Sequence, residues 1–251
     1  METLIKFLTK QKKIANIINN DDDLTGVNDE SLLFGIALKY LQKQELTIIV
    51  ANNMLRAQNV YSYLSGILKE NLFLYCVDEV TKFTSLASSP ELIAQRIVLL
   101  NKLANNEPIF IVTHTMAIKR LTPSIEIFKK SCINLKIGQT VTALQEQIVK
   151  LGYKNVLKVT QPFEFSSRGG VIDIYSINYS MPIRIEFFDK EIDSIRFFDV
   201  DSQRTISLTD QIDILPASEF LTDSFEDGIN NIKKELDIES KNSSNYLQLT
   251  Q

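Results

Sequence analysis

Apolar and polar positions along the chain follow two rhythms. Up to about residue 115, helical spacing alternates with continuous β-branched runs. Leu4, Ile5, Leu8, Ile14 and Ile18 recur near the helical period and predict an amphipathic helix over 2–19. Asn28 or Asp29 supplies the cap for a helix reaching about Gln42, and 53–69 reads as another. ELTIIVA (45–51), LFLYCV (72–77) and PIFIVT (108–113) are apolar without alternation, the pattern of strands covered on both faces. Ser89-Pro90-Glu91 is a helix start: an N-cap serine, a proline at the first position and an acid in the first turn. That helix is expected to run to about Leu103. Strands alternating with helices in this way predict a parallel sheet covered by helices.

After Pro123 the rhythm changes. Residues 140–151 predict a helix stopped by Gly152. Short strands follow: VLKVT (156–160), GGVIDIYS (169–176), PIRIEFF (182–188) and IDSIRFF (192–198). This is the pattern of an antiparallel α+β unit. Residues 212–215 are expected to return to the first sheet, with Pro216 ending the strand. The tail from about 236 is polar and weakly patterned.

Composition narrows the function classes. The chain has 251 residues, 44% hydrophobic and 23% charged, enough for a buried core and for one large or two ordinary domains. Its formal net charge of −4 argues against a surface given over to nucleic acid. Cys76 and Cys132 lie in apolar surroundings and read as buried free thiols of a cytoplasmic protein. No apolar run is long enough to cross a membrane, and the N-terminus lacks a signal-peptide core. A single histidine, His114, follows the strand at 108–113; it excludes His-rich metal sites and is expected to serve a cap or loop.

The segment 24–38, before a helix, is where an α/β nucleotide-binding domain carries its phosphate loop. Such a loop needs several glycines and then Lys and Ser/Thr. Only Gly26 is present, no lysine occurs between Lys13 and Lys39, and Asp29 and Glu30 would repel phosphate. Asp78-Glu79, after an apolar strand, resembles a Walker B pair but has no phosphate-bound magnesium to serve. A capped helix start and solvated strand-end acids account for both segments.

In PIRIEFF, alternation sends Ile183, Ile185 and Phe187 to one face and Arg184, Glu186 and Phe188 to the other. An outward aromatic two turns of the pleat from an arginine is the composition of an interface hot spot. Arg168 precedes Gly169-Gly170, a turn allowing close backbone approach. Packing of Phe188 under a helix is the competing reading.

At these residues the chain resembles a known family. The order RGGVID, PIRIEFF, DKEIDSIR, FDVDSQR and LPASEF, with a weaker likeness that includes SPELIAQRIVLLNKL, resembles the amino-terminal module of the bacterial transcription-repair coupling factors. That module is itself similar to the excinuclease B subunit, and FDVDSQRT favours the coupling factors. The resemblance implies a degenerate P-loop helicase-like α/β domain lacking the phosphate loop (1–129 and 217–251), with a smaller inserted α+β domain (130–216). It implies that the inserted domain recruits the excinuclease A subunit (UvrA) through Arg168, Arg184 and Phe188. It further implies no catalytic residue and no cofactor here; ATP and magnesium would belong to a translocase motor in a longer protein. RNA polymerase and DNA would be reached through other domains of that protein, one of which would cover the docking face at rest. Two other readings remain: an ATP-dependent damage-processing subunit like excinuclease B, and direct DNA binding by Lys119, Arg120, Lys129 and Lys130.

Overall fold

In the computed structural model, residues 28–69, 71–77, 90–119 and 122–219 are described, together with positions 221, 229 and 233. The expected helix at 2–19, the Asp78-Glu79 pair, Arg120 and the tail lie outside these residues. Contacts divide the chain into two units, one within Met1–Asp78 and Asn105–Leu121, the other within Glu79–Ala104 and Thr122–Gln251. Parallel and antiparallel sheets make it a mixed α/β protein.

The first unit is built from α1 (Asp29–Lys43), β1 (Thr47–Ala51), α2 (Met54–Ser65), β2 (Leu72–Tyr75), β3 (Phe110–His114) and α4 (Thr115–Ile118); α3 belongs to the second unit. Asn28 caps α1 by accepting the Ser31 N–H at 3.0 Å, and Asn53 caps α2 through the Arg56 N–H at 2.8 Å. The strands form a parallel sheet of order β1-β3-β2. The central β3 has a strand on each side, and all five of its residues are buried. β1 differs from expectation. Ile48 and Val50 are half exposed, while Ala51 is buried, so among the described residues this strand is covered on one face more than on the other. The core gathers Ala37, Leu64, Phe110 and Val112 around Tyr40, whose hydroxyl donates to the Pro108 carbonyl at 2.6 Å.

The second unit holds α3 (Pro90–Ala104), α5 (Ile125–Ser131), β4 (Ile133–Lys136), α6 (Leu144–Lys150), β5 (Lys154–Asn155), β6 (Glu164–Arg168), β7 (Val171–Ile174), β8 (Ile183–Phe188), β9 (Glu191–Phe198), β10 (Thr205–Leu208) and β11 (Gln211–Ile214). Six strands form one sheet, in the order β10-β9-β8-β7-β6-β5, antiparallel except for β5 beside β6. Its inner face, with Ile172, Ile174, Ile183, Ile185 and Ile195, packs with Leu144 and Ile148 of α6 into a shared core.

Three elements depart from the sequence reading. VLKVT is a loop, not a strand; only Lys154–Asn155 before it pairs with β6. Ile212–Ile214 does not return to the first sheet; β11 pairs antiparallel with β4, an element too short to stand out in the sequence. The helix expected over 140–151 shortens to Leu144–Lys150.

The contact grouping also draws its line elsewhere than the division into 1–129 plus 217–251 and 130–216. α3 and α5 go with the later strands because Ile97, Ala104, Phe128 and Leu215 share one apolar cluster. Beside that cluster Arg96 donates two hydrogen bonds to Glu219, at 2.9 and 2.7 Å, with both side chains almost wholly buried.

Candidate functional site: the open face of the six-stranded sheet

The face of the six-stranded sheet opposite α6 carries polar and charged side chains. Register defines rows across it. Leu208, Arg196, Arg184, Asp173 and Ser166 are successive cross-strand neighbours from β10 to β6. Ser194, Glu186, Val171 and Arg168 form the next row. Phe188, opposite Glu191, ends β8 two residues beyond Glu186. The rows enclose a cleft of about 550 Å³, lined by Leu157, Lys158, Ser166, Arg168, Asp173 and Arg184 among others.

Phe188 is 80% exposed, so it does not pack under a helix. The register shift between Glu186 and Phe187 leaves β8 alternating, so Phe187 packs inward against the core while Phe188 points out. The extra residue sits on β9, between Ser194 and Ile192.

Arg168 is exposed at the end of β6. The turn after it is closed by Gly169, at φ +59°, a conformation that L side chains rarely adopt. Gly170 then presses against β8: its carbonyl accepts the Phe187 N–H at 2.8 Å, and a Cβ there would meet the Phe187 oxygen at 3.0 Å. The two glycines thereby bring Arg168 and Phe188 to the same end of the sheet.

Arg184 is only partly exposed and is engaged within the chain through Nε and Nη2. Its Nε and Nη2 donate to the two carboxylate oxygens of Asp173 at 2.7 and 2.8 Å, and Nη2 also to Gln203 Oε1 at 3.1 Å. Its guanidinium carbon lies 4.5 Å from the centroid of the buried Phe198 ring. Asp173, Gln203 and Phe198 were not singled out in the sequence; cross-strand register, which no local pattern reveals, brings them to Arg184. Arg196, opposite Arg184, donates to Glu186.

Other candidate residues are placed without joining this face. His114 is fully buried and stands at the N-cap position of α4, yet its ring caps nothing there. Neither cysteine is in a disulfide; burial, with the nearby Asp213 carboxylate adding to it, pushes the Cys132 thiol up to about 11. Lys119 belongs to the first unit, Lys129 and Lys130 to the second. Among the described residues no helix is long and apolar enough to cross a membrane.

Residues 133–220, which contain the whole of this face, match the UvrB interaction domain. The transcription-repair-coupling factor of Bacillus subtilis is 38% identical over 230 residues, which are 88% of this chain and 20% of that protein. The chain is a homologue of transcription-repair-coupling factors. The same protein of Staphylococcus aureus strain USA300 is 34% identical over 241 residues, 94% of this chain and 20% of its own length, and that of strain RF122 is 32% identical over 240. This homologue thus spans about a fifth of the length of the curated relatives it matches.

Proposed function

We propose that the chain is a non-catalytic docking module of transcription-coupled nucleotide excision repair. In this reading it recruits the excinuclease A subunit to RNA polymerase stalled at a lesion. The observation that carries the reading is Phe188: a large aromatic, 80% exposed, at the end of a well-paired strand inside the UvrB interaction domain. A rigid aromatic in solvent beside a charged cleft is the composition that dominates protein interfaces. Phe188 is the apolar anchor, Arg168 a charge-assisted donor to partner carboxylates, and Arg184 part of the cleft floor.

The first unit is, in this reading, a helicase-like domain that has lost its nucleotide site. The residues present do not fit a nucleotide. The Ser31 N–H at the start of α1 is taken by the Asn28 side chain, and Asp29, beside it, is paired with Arg56. No lysine occurs in the sequence between Lys13 and Lys39, and two acids stand in the first turn. We therefore assign neither nucleotide nor metal to this chain. ATP, magnesium, RNA polymerase and DNA belong to other parts of a longer protein.

The test is a titration of the excinuclease A subunit against this chain and its Phe188→Ala, Arg168→Ala and Arg184→Ala variants. Loss of the aromatic anchor is expected to weaken binding by about 2 kcal/mol or more, some thirtyfold. Unchanged affinity in all three variants contradicts the docking role.

A further inference from the structure

The four cations of the open face are not equivalent. Arg184 is held by Asp173 and Gln203, and Arg196 by Glu186. Their charge is largely spent within the sheet. Lys158 and Arg168 also line the cleft, and no salt bridge holds either among the described residues. The Lys158 charge acts on Asp199, whose carboxyl is held below the usual range first by Ser202 hydrogen bonds and only lastly by Lys158. An unpaired cation at the edge of a cleft attracts a carboxylate from outside far better than one already neutralised.

Lys158 sits in the loop that replaces the expected strand VLKVT, next to Leu157. Leu157 is 85% exposed, more than any other large apolar side chain among the described residues. Yet the loop is firmly held. The Val156 N–H donates to the Phe165 carbonyl at 2.9 Å, and Ser166 Oγ donates to the Leu157 carbonyl at 3.3 Å. The buried Glu164 carboxylate accepts four hydrogen bonds, from the backbone N–H and the side chain of both Thr160 and Gln161. Val159 is inserted into the interior. A loop tied down at this many points has little freedom to turn Leu157 inward. Its exposure is built in, and a partner would bind it with little ordering cost.

Across the sheet stands a second apolar edge. Leu208 is 74% and Ile206 56% exposed, and Leu208 shares the row of Arg196, Arg184, Asp173 and Ser166. Four interstrand steps of ~4.8 Å lead from Leu208 to Ser166, and the Leu157 loop lies one chain beyond, so the two edges stand roughly 24 Å apart, wide enough for an extended or helical segment.

We propose that Leu157 and Lys158 form a second contact patch of the docking surface, taking a polypeptide segment that presents a carboxylate next to an apolar side chain. The carboxylate meets Lys158, the apolar side chain packs on Leu157, and Arg168 and Phe188 receive the partner along the next rows. The inference rests on the docking reading above, and the occupant is the same partner, the excinuclease A subunit.

The test measures binding of that subunit to the full chain carrying Lys158→Glu, Leu157→Ser or Phe188→Ala, with Val149→Ser as control. Val149 is 53% exposed on α6, which packs against the inner face of the sheet. The expected result is a loss of at least tenfold for Lys158→Glu with a shallower salt dependence. Leu157→Ser is expected to lose about fivefold and Val149→Ser nothing, with the melting temperature of each variant unchanged. If Lys158→Glu and Leu157→Ser bind as well as the parent while Phe188→Ala does not, the second patch is overturned and the docking reading stands. If Phe188→Ala also binds normally, both fall.

Discussion

Two regions of the second unit contain the same chemical pair in different settings. Under α3, Arg96 grips Glu219 with both side chains at 5% exposure or less. On the open sheet face, Arg184 grips Asp173 at the same 2.7 Å closest approach, with 22% and 17% exposure. Both pairs are two-pronged. The buried one closes an apolar cluster that ties Ile97 and Phe128 to Leu215, so it belongs to the framework. The open one lies in the floor of a cleft whose borders carry unpaired cations and bare apolar side chains. Pair geometry alone therefore says little about role; the surroundings of the pair decide whether it holds the chain together or shapes a surface.

The largest expected effect comes from breaking the buried pair. Arg96→Ala removes both hydrogen bonds to Glu219 and is expected to cost about 3–5 kcal/mol of stability, read from a denaturant melt. Partner affinity per folded molecule is expected to stay the same. The reverse pattern is expected on the open face. Phe188→Ala lowers affinity for the excinuclease A subunit by about 2 kcal/mol or more, with no measurable change in the melt. Asp173→Asn is smaller on both axes: about 1 kcal/mol of stability, since the pair is mostly buried but the asparagine oxygen still accepts from Arg184, with the cleft floor loosened. A large stability loss at Asp173 paired with none at Arg96 would invert the comparison.

A finer contrast lies in the loop that carries Leu157. Burial alone pushes the Glu164 carboxyl up, but the hydrogen bonds from Thr160 and Gln161 outweigh it and hold the group below the usual carboxylate range. A depressed folded-state value means that this stabilisation is present at neutral pH, above the unfolded value, and is lost as pH falls through the folded one. Glu164→Gln is therefore expected to lower stability at pH 7 and to narrow its gap from the parent on acidification, followed by thermal melts across that range.

Much of this was legible in the sequence, and its limits have identifiable causes. Alternation in PIRIEFF identified Phe188 as outward, since a strand in a half-covered sheet leaves one set of side chains uncovered. Pro90 opens α3 as its sequence indicates. The covered strand at 108–113 is real, but the similar run at 45–51 lies at the sheet edge, and a β-branched run looks the same in either place. VLKVT has strand composition, yet the Glu164 carboxylate bonds its last residue and the next and holds them in a loop. The capture of Arg184 by Asp173 lies eleven residues back in the chain and follows only from the β7–β8 register. For the same reason Lys158 looked no different from any other surface lysine.

The most direct test of the central claim is the affinity of the excinuclease A subunit for this chain with Phe188 replaced by alanine, measured beside the parent. A folded variant that binds some thirtyfold or more weakly is the predicted result. A folded variant that binds with the parent's affinity contradicts the claim that this face is the docking surface.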